Sequence, residues 1–446
     1  MEVILENTAA YLFVIILASG IIYFYLSQNK KKSQVVEKKI ERAKALGFHD
    51  PVSLHPVIDY DICIGSGACV KACPELDILG LVNGKGNPVN ASRCVGHGAC
   101  FHSCPVEAIS LVMGTEKRGV ELPHVSQKFM TNVENVYIAG ELGGMGLIKN
   151  AVEQGKQAVE NIYYSLNKKH KAEYDLLIVG AGPAGISATL KAQELGLKYK
   201  TVEQDTLGGT IYSFPRAKII MTSPMDLPLY GKIKLVETSK DELLELWKNV
   251  LIKNKITISE EEKVQSILKK NEIFDIETSK GKFSVATILL AIGRRGSPRK
   301  LGVPGENKPK VYYRLLEPEH IHNKNILIVG GGDSAIESAL LLSEENNKVT
   351  LSYRGDSFNR LKPRNLEKLE SALKEKSIDV ILNSNVKEIK DDSVLLVTSN
   401  DEKVLEINNN LVYVFVGGEL PNKFLESIGI EITKKYGETV LTHRKE

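Results

Sequence analysis

Apolar and polar positions are mixed through most of the chain, and the departures from that mixture predict its elements. Residues 8–26 carry no charge and are rich in Ile, Leu, Val and aromatics. As a helix they would span about 28 Å, close to the thickness of one bilayer core. This predicts a transmembrane helix over 8–27, with 1–7 as a short outer end. Residues 35–46 interleave Lys and Glu with apolar positions, which predicts a short juxtamembrane helix with a solvated face, ended by Gly47. Further on, Leu176-Leu177-Ile178-Val179 runs into a glycine turn and then an alanine-rich stretch, 186–195. A strand, a turn and a helix are expected there, followed by a second strand that ends at Glu203. The same order returns at Ile326-Leu327-Ile328-Val329, with a further strand expected over 348–352.

The glycines explain the turns. In Gly180-Ala181-Gly182-Pro183-Ala184-Gly185, the first glycine makes the tight turn and the second lets a pyrophosphate approach the backbone. The third lets helix pack on strand, with the phosphates at the helix N-terminus. Glu203 lies about 20 residues on, where a carboxylate can accept a ribose hydroxyl. Gly330-Gly331-Gly332-Asp333-Ser334-Ala335 opens a second such site. Its second strand ends at Tyr353-Arg354 with no acid at the ribose position, which favours NADPH, while Asp356 keeps NADH open. Arg360, Lys362 and Arg364 lie where they could add to a 2′-phosphate site or be plain solvated charges.

Composition narrows the chemistry. The chain has 446 residues, a formal net charge of +3 and scattered lysines, so no nucleic-acid groove is indicated. Lys30, Lys31 and Lys32 follow the apolar run, and the positive-inside rule places everything downstream in the cytoplasm. All six cysteines fall in two similar triplets, Cys63, Cys69, Cys73 and Cys94, Cys100, Cys104, each closed by a proline. Such clustering indicates metal rather than disulfides.

Each triplet resembles the bacterial ferredoxin run C-x2-C-x2-C-x3-C-P with its second cysteine missing; Ser66 stands there in the first and His97 in the second. The resemblance implies two iron–sulfur sites through its crossing pattern: Cys63, Cys69 and Cys104 in one, and Cys94, Cys100 and Cys73 in the other. Three-iron clusters (3Fe-4S), four-iron clusters (4Fe-4S) completed by Ser66, His97 or an exogenous ligand, or one of each remain open. A Cys3His zinc site around His97 and a fold without metal are the other readings.

Residues 119–160, with Ala139-Gly140-Glu141 followed by a helical pattern from Leu147, resemble the last flavin motif of thioredoxin-reductase-like enzymes. In that family the motif comes at the carboxyl end, with Asp where Glu141 stands, and its carboxylate holds the ribityl chain of the flavin. The rest of the family pattern follows in order: Gly208-Gly209-Thr210, Thr222-Ser223-Pro224, Ala291-Ile292-Gly293, the second glycine turn, and Tyr413 to Gly417. The resemblance therefore implies a circular permutation. It also implies FAD held by Gly140, Glu141, Gly180, Gly182, Pro183, Ala184, Gly185, Glu203, Gly208, Gly209, Thr210, Thr222, Ala291 and Gly293. NAD(P) would be held by Gly330, Gly332, Asp333, Ser334, Ala335, Arg354 and Arg360.

The fold class expected is α/β, with two permuted thioredoxin-reductase-like Rossmann-type domains, a small α+β ferredoxin-like domain and one N-terminal transmembrane helix. Beyond the helix the expected boundaries are 28–57 for a juxtamembrane helix and linker, 58–113 for the ferredoxin-like domain and 114–168 for the permuted segment. Then come 169–305 for FAD, 306–416 for NAD(P) and 417–446 as a return to the FAD domain. The nicotinamide domain has no Cys-x-x-Cys, which excludes thioredoxin reductase chemistry. Bacillithiol disulfide reductases are similar around 208–222 and 358–364, but Ala184 stands at their reactive cysteine. The expected activity is NAD(P)H-dependent electron transfer between nicotinamide, FAD and clusters, to or from a redox protein or quinone at a bacterial inner membrane. A tethered redox sensor, or an NADPH oxidoreductase acting directly on quinone or a disulfide with a structural ferredoxin domain, are alternatives. Family analogy adds a homodimer.

Overall fold

The structure is a computed structural model that describes all residues except 1, 46–48, 50, 52, 53, 76, 95, 97, 118, 145, 215–218, 222, 223, 236, 295–297, 359, 360, 399–402 and 444–446. His97, Thr222 and Arg360 therefore lie outside the described residues. The chain forms two compact units, Met1–Val120 with Lys435–Glu446, and Glu121–Lys434.

The first unit opens with α1 (Glu2–Ala45), a single helix. The expected separation into a span and a juxtamembrane helix is absent, because the Lys, Glu, Gln and Ala that follow residue 26 are strong helix formers with no Gly or Pro among them. Residues 11–26 expose their apolar side chains, whereas Ser33 and Ala43 are buried. Strands β1 (Leu54–Ile58) and β4 (Ile109–Met113) pair antiparallel and enclose α2 (Ala68–Ala72), the hairpin of β2 (Leu79–Val82) and β3 (Lys85–Pro88), and α3 (Ala99–Ser103) in sequence. The Asn83-Gly84 turn of the hairpin has positive φ at both residues, the geometry that Asn-Gly supplies to tight hairpins. Helices α2 and α3 each begin after a glycine at φ 71° and end at the last cysteine of a triplet, so the internal repeat is also structural.

In the second unit β5 (Val120–Pro123) leads into β6 (Val136–Ile138), α4 (Ile148–Ser165), β7 (Tyr174–Val179), α5 (Pro183–Glu194) and β8 (Tyr199–Val202). Four short strands, β9 to β12 (Ile219–Met221, Met225–Leu227, Gly231–Ile233, Glu237–Ser239), precede α6 (Lys240–Lys253). Then come β13 (Val264–Lys270), β14 (Ile273–Thr278) and β15 (Lys282–Leu290). The flavin-side sheet has the order β13-β14-β15-β7-β8, and β6 pairs with β15 as well. That pairing is parallel, Ile288 to Val136 and Leu290 to Ile138, while β7 flanks the same residues of β15 on its other edge. Strand β6, which precedes the first glycine turn in the chain, thus joins the sheet that the turn belongs to, beside β15.

The nicotinamide side has β16 (Val311–Tyr312), β17 (Asn325–Val329), α7 (Asp333–Glu344), β18 (Lys348–Ser352), α8 (Pro363–Lys374) and β19 (Ile378–Ile381). An antiparallel trio, β20 to β22 (Ser384–Ile389, Ser393–Thr398, Val404–Asn408), comes before β23 (Leu411–Val414). Its parallel sheet runs β16-β23-β17-β18-β19. After α9 (Asn422–Ser427) and β24 (Ile432–Lys435) the chain does not stay with the flavin sheet, as the expected boundary 417–446 had it. Its last strand, β25 (Glu438–Leu441), pairs with β4 of the first unit and covers an edge that would otherwise offer unpaired backbone groups.

Candidate functional site

The first glycine turn is built for close approach. Gly180 has φ +104°, and a Cβ there would stand 2.6 Å from the Ala291 carbonyl oxygen. A Cβ on Gly185 would overlap the Gly180 carbonyl oxygen, so helix α5 can start against its strand only with glycine. Gly182, by contrast, faces open space at the N-terminus of α5, where backbone N–H groups and the helix dipole favour an anion. Gly209 comes in beside Gly182, and Gly208 N–H donates to Ala181 O at 2.9 Å.

Glu203 ends the second strand of this half and is buried. Its Oε2 accepts from Ala181 N–H at 2.7 Å and its Oε1 from Asp205 N–H at 3.0 Å. Burial raises its pKa in spite of these hydrogen bonds. Each carboxylate oxygen keeps a second lone pair for a ribose hydroxyl. Three residues on, the buried Thr206 hydroxyl has no partner among the described residues. An open glycine face, a buried acceptor and an orphaned hydroxyl are what a dinucleotide would complete, and the residues fit FAD.

The segment around Gly140 packs against the start of α5. Gly140 holds φ 84° and ψ −154°, a conformation open essentially to glycine, and its N–H donates to Gln154 Oε1 at 2.8 Å. A Cβ at Gly140 would lie 3.1 Å from that of Ala184, and one at Gly155 would overlap the Ala184 carbonyl oxygen. Ala184 is buried between these two glycines, so the position of the reactive cysteine in similar enzymes is here a packing contact. Glu141 packs against Gly146. A charge that the sequence reading missed, Arg294, lies next to Ala291-Ile292-Gly293. Burial lowers its pKa, against the pull of Glu141 and Glu121. Its position one residue past the expected motif was the available signal.

In the second site Gly330 has φ +145° and packs on Phe415, while Gly332 is open at the start of α7. The Tyr353 ring lies directly on Gly331 and stacks on Phe358 with a centroid separation of 5.3 Å. Ala335 is buried and Ser334 exposed at the helix start. Asp333, at the start of α7, has its Oδ1 accepting from Lys362 N–H at 2.9 Å and from Asn365 Nδ2 at 2.8 Å, which fastens the start of α8 to this turn. Arg354, Lys362 and Arg364 are exposed, and Lys362 is tied through its N–H to Asp333 at the glycine turn.

The cysteines fall into two groups. Cys63, Cys69 and Cys104 line one small cavity with Ile58, Leu81 and Val106, and Ser66 lines it too. Burial and then the neighbouring Cys63 and Cys104 raise the Cys69 thiol. In the other group burial pushes Cys94 up to about 11, with Cys73 adding to it. Cys100 goes up to about 12 through burial, Cys94 and Cys73. Thiols held protonated in this way release their protons when metal binds. Sulfurs around one zinc ion lie about 4 Å apart. Among the described residues no three potential ligands are gathered for a single ion. Ser66 Oγ also accepts from Ala68 N–H at 3.4 Å.

Two nucleotide-binding folds in one compact unit define a dinucleotide-dependent flavoprotein. The family described as pyridine nucleotide-disulphide oxidoreductase matches residues 177–446, more than half of the chain, and the chain belongs to it. A 4Fe-4S dicluster domain matches residues 55–105. Among similar proteins, bacilliredoxin reductase Bdr of Bacillus subtilis (strain 168) is 28% identical over 266 residues, 58% of this chain and 82% of the relative. A ferredoxin–NADP reductase of Ignicoccus hospitalis is 28% identical over 271 residues, 58% of this chain and 83% of the relative. The solved bacillithiol disulfide reductase Bdr of Staphylococcus aureus aligns with a TM-score of 0.52 at 25% identity, covering 59% of this chain and 85% of that one. The chain is an FAD-dependent oxidoreductase that carries an iron–sulfur domain.

Proposed function

We propose that this protein is a membrane-anchored, NADPH-dependent flavoprotein that moves electrons between nicotinamide, FAD and two iron–sulfur sites, to or from a membrane partner. The observation that carries the reading is the distribution of sulfur. All six cysteines lie in the ferredoxin-like fold, and the position beside the first glycine turn is the buried Ala184, so no thiol is available at the flavin site. One similar protein is named a ferredoxin–NADP reductase, and here a ferredoxin-like domain belongs to the same chain.

Bound FAD supplies the conversion between a hydride and single electrons. The chain supplies position and field. Gly182 and the α5 N-terminus would receive the pyrophosphate, Glu203 would accept from a ribose, and Glu141 with the start of α4 would serve the ring end. Arg354 and Arg364 would receive a 2′-phosphate, and Tyr353 covers the second glycine turn. The six thiolates would hold the clusters, with Ser66 a candidate fourth ligand for the first. Helix α1, apolar and exposed over 11–26, spans the membrane with the lysines at its cytoplasmic end.

The test replaces Cys69 and Cys100 together by Ala in the full chain. NADPH should still reduce the flavin, while reduction of a one-electron acceptor such as cytochrome c should fall to background. Unchanged transfer to the acceptor would sink the reading and make the ferredoxin-like domain structural.

A further inference from the structure

Three contacts along α1 orient the ferredoxin-like fold relative to the apolar end of that helix. Lys39 Nζ pairs with Asp77 Oδ1 at 2.6 Å, Val36 lies against Gly80, and Asn83 N–H donates to Ser33 Oγ at 3.0 Å. Hairpin β2–β3 therefore runs along the helix with its Asn83-Gly84 tip towards the apolar stretch. Ser33 stands about 10 Å along the helix axis from Leu26. The headgroup layer on each side of a bilayer is roughly 5–8 Å deep. With residues 11–26 in the hydrocarbon, the hairpin tip comes to the outer edge of the headgroups.

One cysteine group is fastened to that tip. The backbone of Gly65 lies so close to the Gly84 carbonyl oxygen that a Cβ would overlap it. Lys85 Nζ donates to Cys63 O at 2.6 Å and to Tyr60 O at 2.9 Å, and Gly86 N–H donates to Cys63 Sγ at 3.4 Å. The other group belongs to the base of the hairpin. The Cys73 thiol donates to Glu75 O at 3.2 Å, and Asn90 Nδ2 donates to Asp77 O at 2.9 Å just ahead of the turn that delivers Cys94. Asp77 is held at Lys39, about 9 Å farther along α1 from the membrane than Ser33. The loop around Cys63 also shows apolar surface: Ile64 is 66% exposed and Tyr60 49%. Aromatic and aliphatic side chains at this depth favour the lipid interface.

We propose that Tyr60, Ile64, Gly65 and the hairpin tip rest on the lipid surface, so that the Cys63–Cys69–Cys104 site is the one that exchanges electrons with a quinone dissolved in the membrane. This rests on reading α1 as a membrane span. Reducing one quinone to its quinol consumes two electrons and two protons. Both electrons and one proton come from the hydride of NADPH, the second proton comes from water, and NADP+ is left. The electrons cross the site one at a time.

The test uses the full holoprotein in lipid vesicles with two photolabels, a lipid diazirine, placed on the chain in one preparation and on the headgroup in another, and an azido-quinone, mapped by mass spectrometry of peptides. The chain diazirine should mark residues 11–26, and the headgroup diazirine and the azido-quinone should both mark 58–67 and 83–85 in preference to 91–103. Marking of 91–103 in place of 58–67, or marking of 11–26 with neither label on 58–67, overturns the proposal while the span stands. Absence of label from 11–26 overturns the span and the proposal with it. Diazirine on 58–67 with the azido-quinone elsewhere overturns quinone as the partner and points to a membrane protein. A second readout needs no labelling. With a gadolinium chelate on lipid headgroups, the power needed to saturate the paramagnetic resonance of Cys100→Ala, which keeps the Cys63 site, should rise several-fold more than that of Cys69→Ala. The reverse order would count against the proposal.

Discussion

Gly155 on α4 meets Ala184 at the start of α5 so closely that any side chain at 155 would overlap the Ala184 carbonyl oxygen. The two helices flank β7 in the chain. Replacing Gly155 by Val should therefore damage the flavin site more than a surface change would. Overpacking of this kind costs about 1–3 kcal/mol. The expected outcome is a lower midpoint of thermal unfolding and protein purified with substantially less FAD, read from flavin absorbance.

Glu306 provides a pH-dependent contribution to stability in the nicotinamide half. Burial alone would raise its pKa, but the Leu301 N–H, the Tyr313 hydroxyl and the Gly302 N–H outweigh burial and hold it below the ordinary carboxylate value. In the unfolded chain a glutamate protonates near pH ~4.3. The native carboxylate stays charged to lower pH, so its stabilisation is complete above that value and is lost as pH falls through the native pKa. Denaturant midpoints measured from pH 6 downwards should fall less steeply in Glu306→Gln than in the parent. Equal slopes would refute this.

Arg314 Nη2 and Asp205 Oδ2 are 2.9 Å apart and join the nicotinamide half to the loop after Glu203. Their side chains are 38% and 46% exposed, so the pair contributes at most about 1 kcal/mol. Asp205→Ala should leave the unfolding temperature nearly unchanged but alter the rate of flavin reduction by NADPH in stopped-flow measurements, with a weaker salt dependence than the parent.

The carboxyl-terminal strand should matter to the iron–sulfur fold alone. His443 stacks on Phe101 at 3.6 Å between centroids, and β25 lies along β4. Removing residues 436–446 should leave flavin content intact while the cluster absorbance bleaches several-fold faster in air. Bleaching at the parental rate would show that the strand has no protective role.

Much of the site was legible in the sequence because its chemistry is local. A glycine that must let a phosphate or a helix approach is needed whatever surrounds it, and the structure packs Gly180 and Gly185 tightly while leaving Gly182 open. The cysteine grouping came from the ferredoxin resemblance, and the cavity lined by Cys63, Cys69 and Cys104 agrees with it. The contacts of Asp333 and Arg294 were not legible. That Asp333 ties down a neighbouring helix depends on Asn365, 32 residues away. The charge of Arg294 acquires its meaning from Glu121 and Glu141, which come from the segment before the first glycine turn.

The sequence by itself determined the apolar helix, the two strand–turn–helix sites and the sulfur-rich repeat, because hydrophobic period, missing Cβ atoms and thiol spacing act over a few residues. Only the tertiary structure decided that β6 lies against β15, that α1 continues without a break along the β2–β3 hairpin, and that β25 joins the ferredoxin-like sheet. Those outcomes depend on which unpaired edge or apolar stripe a distant segment can cover, and that competition is settled by packing across the whole fold.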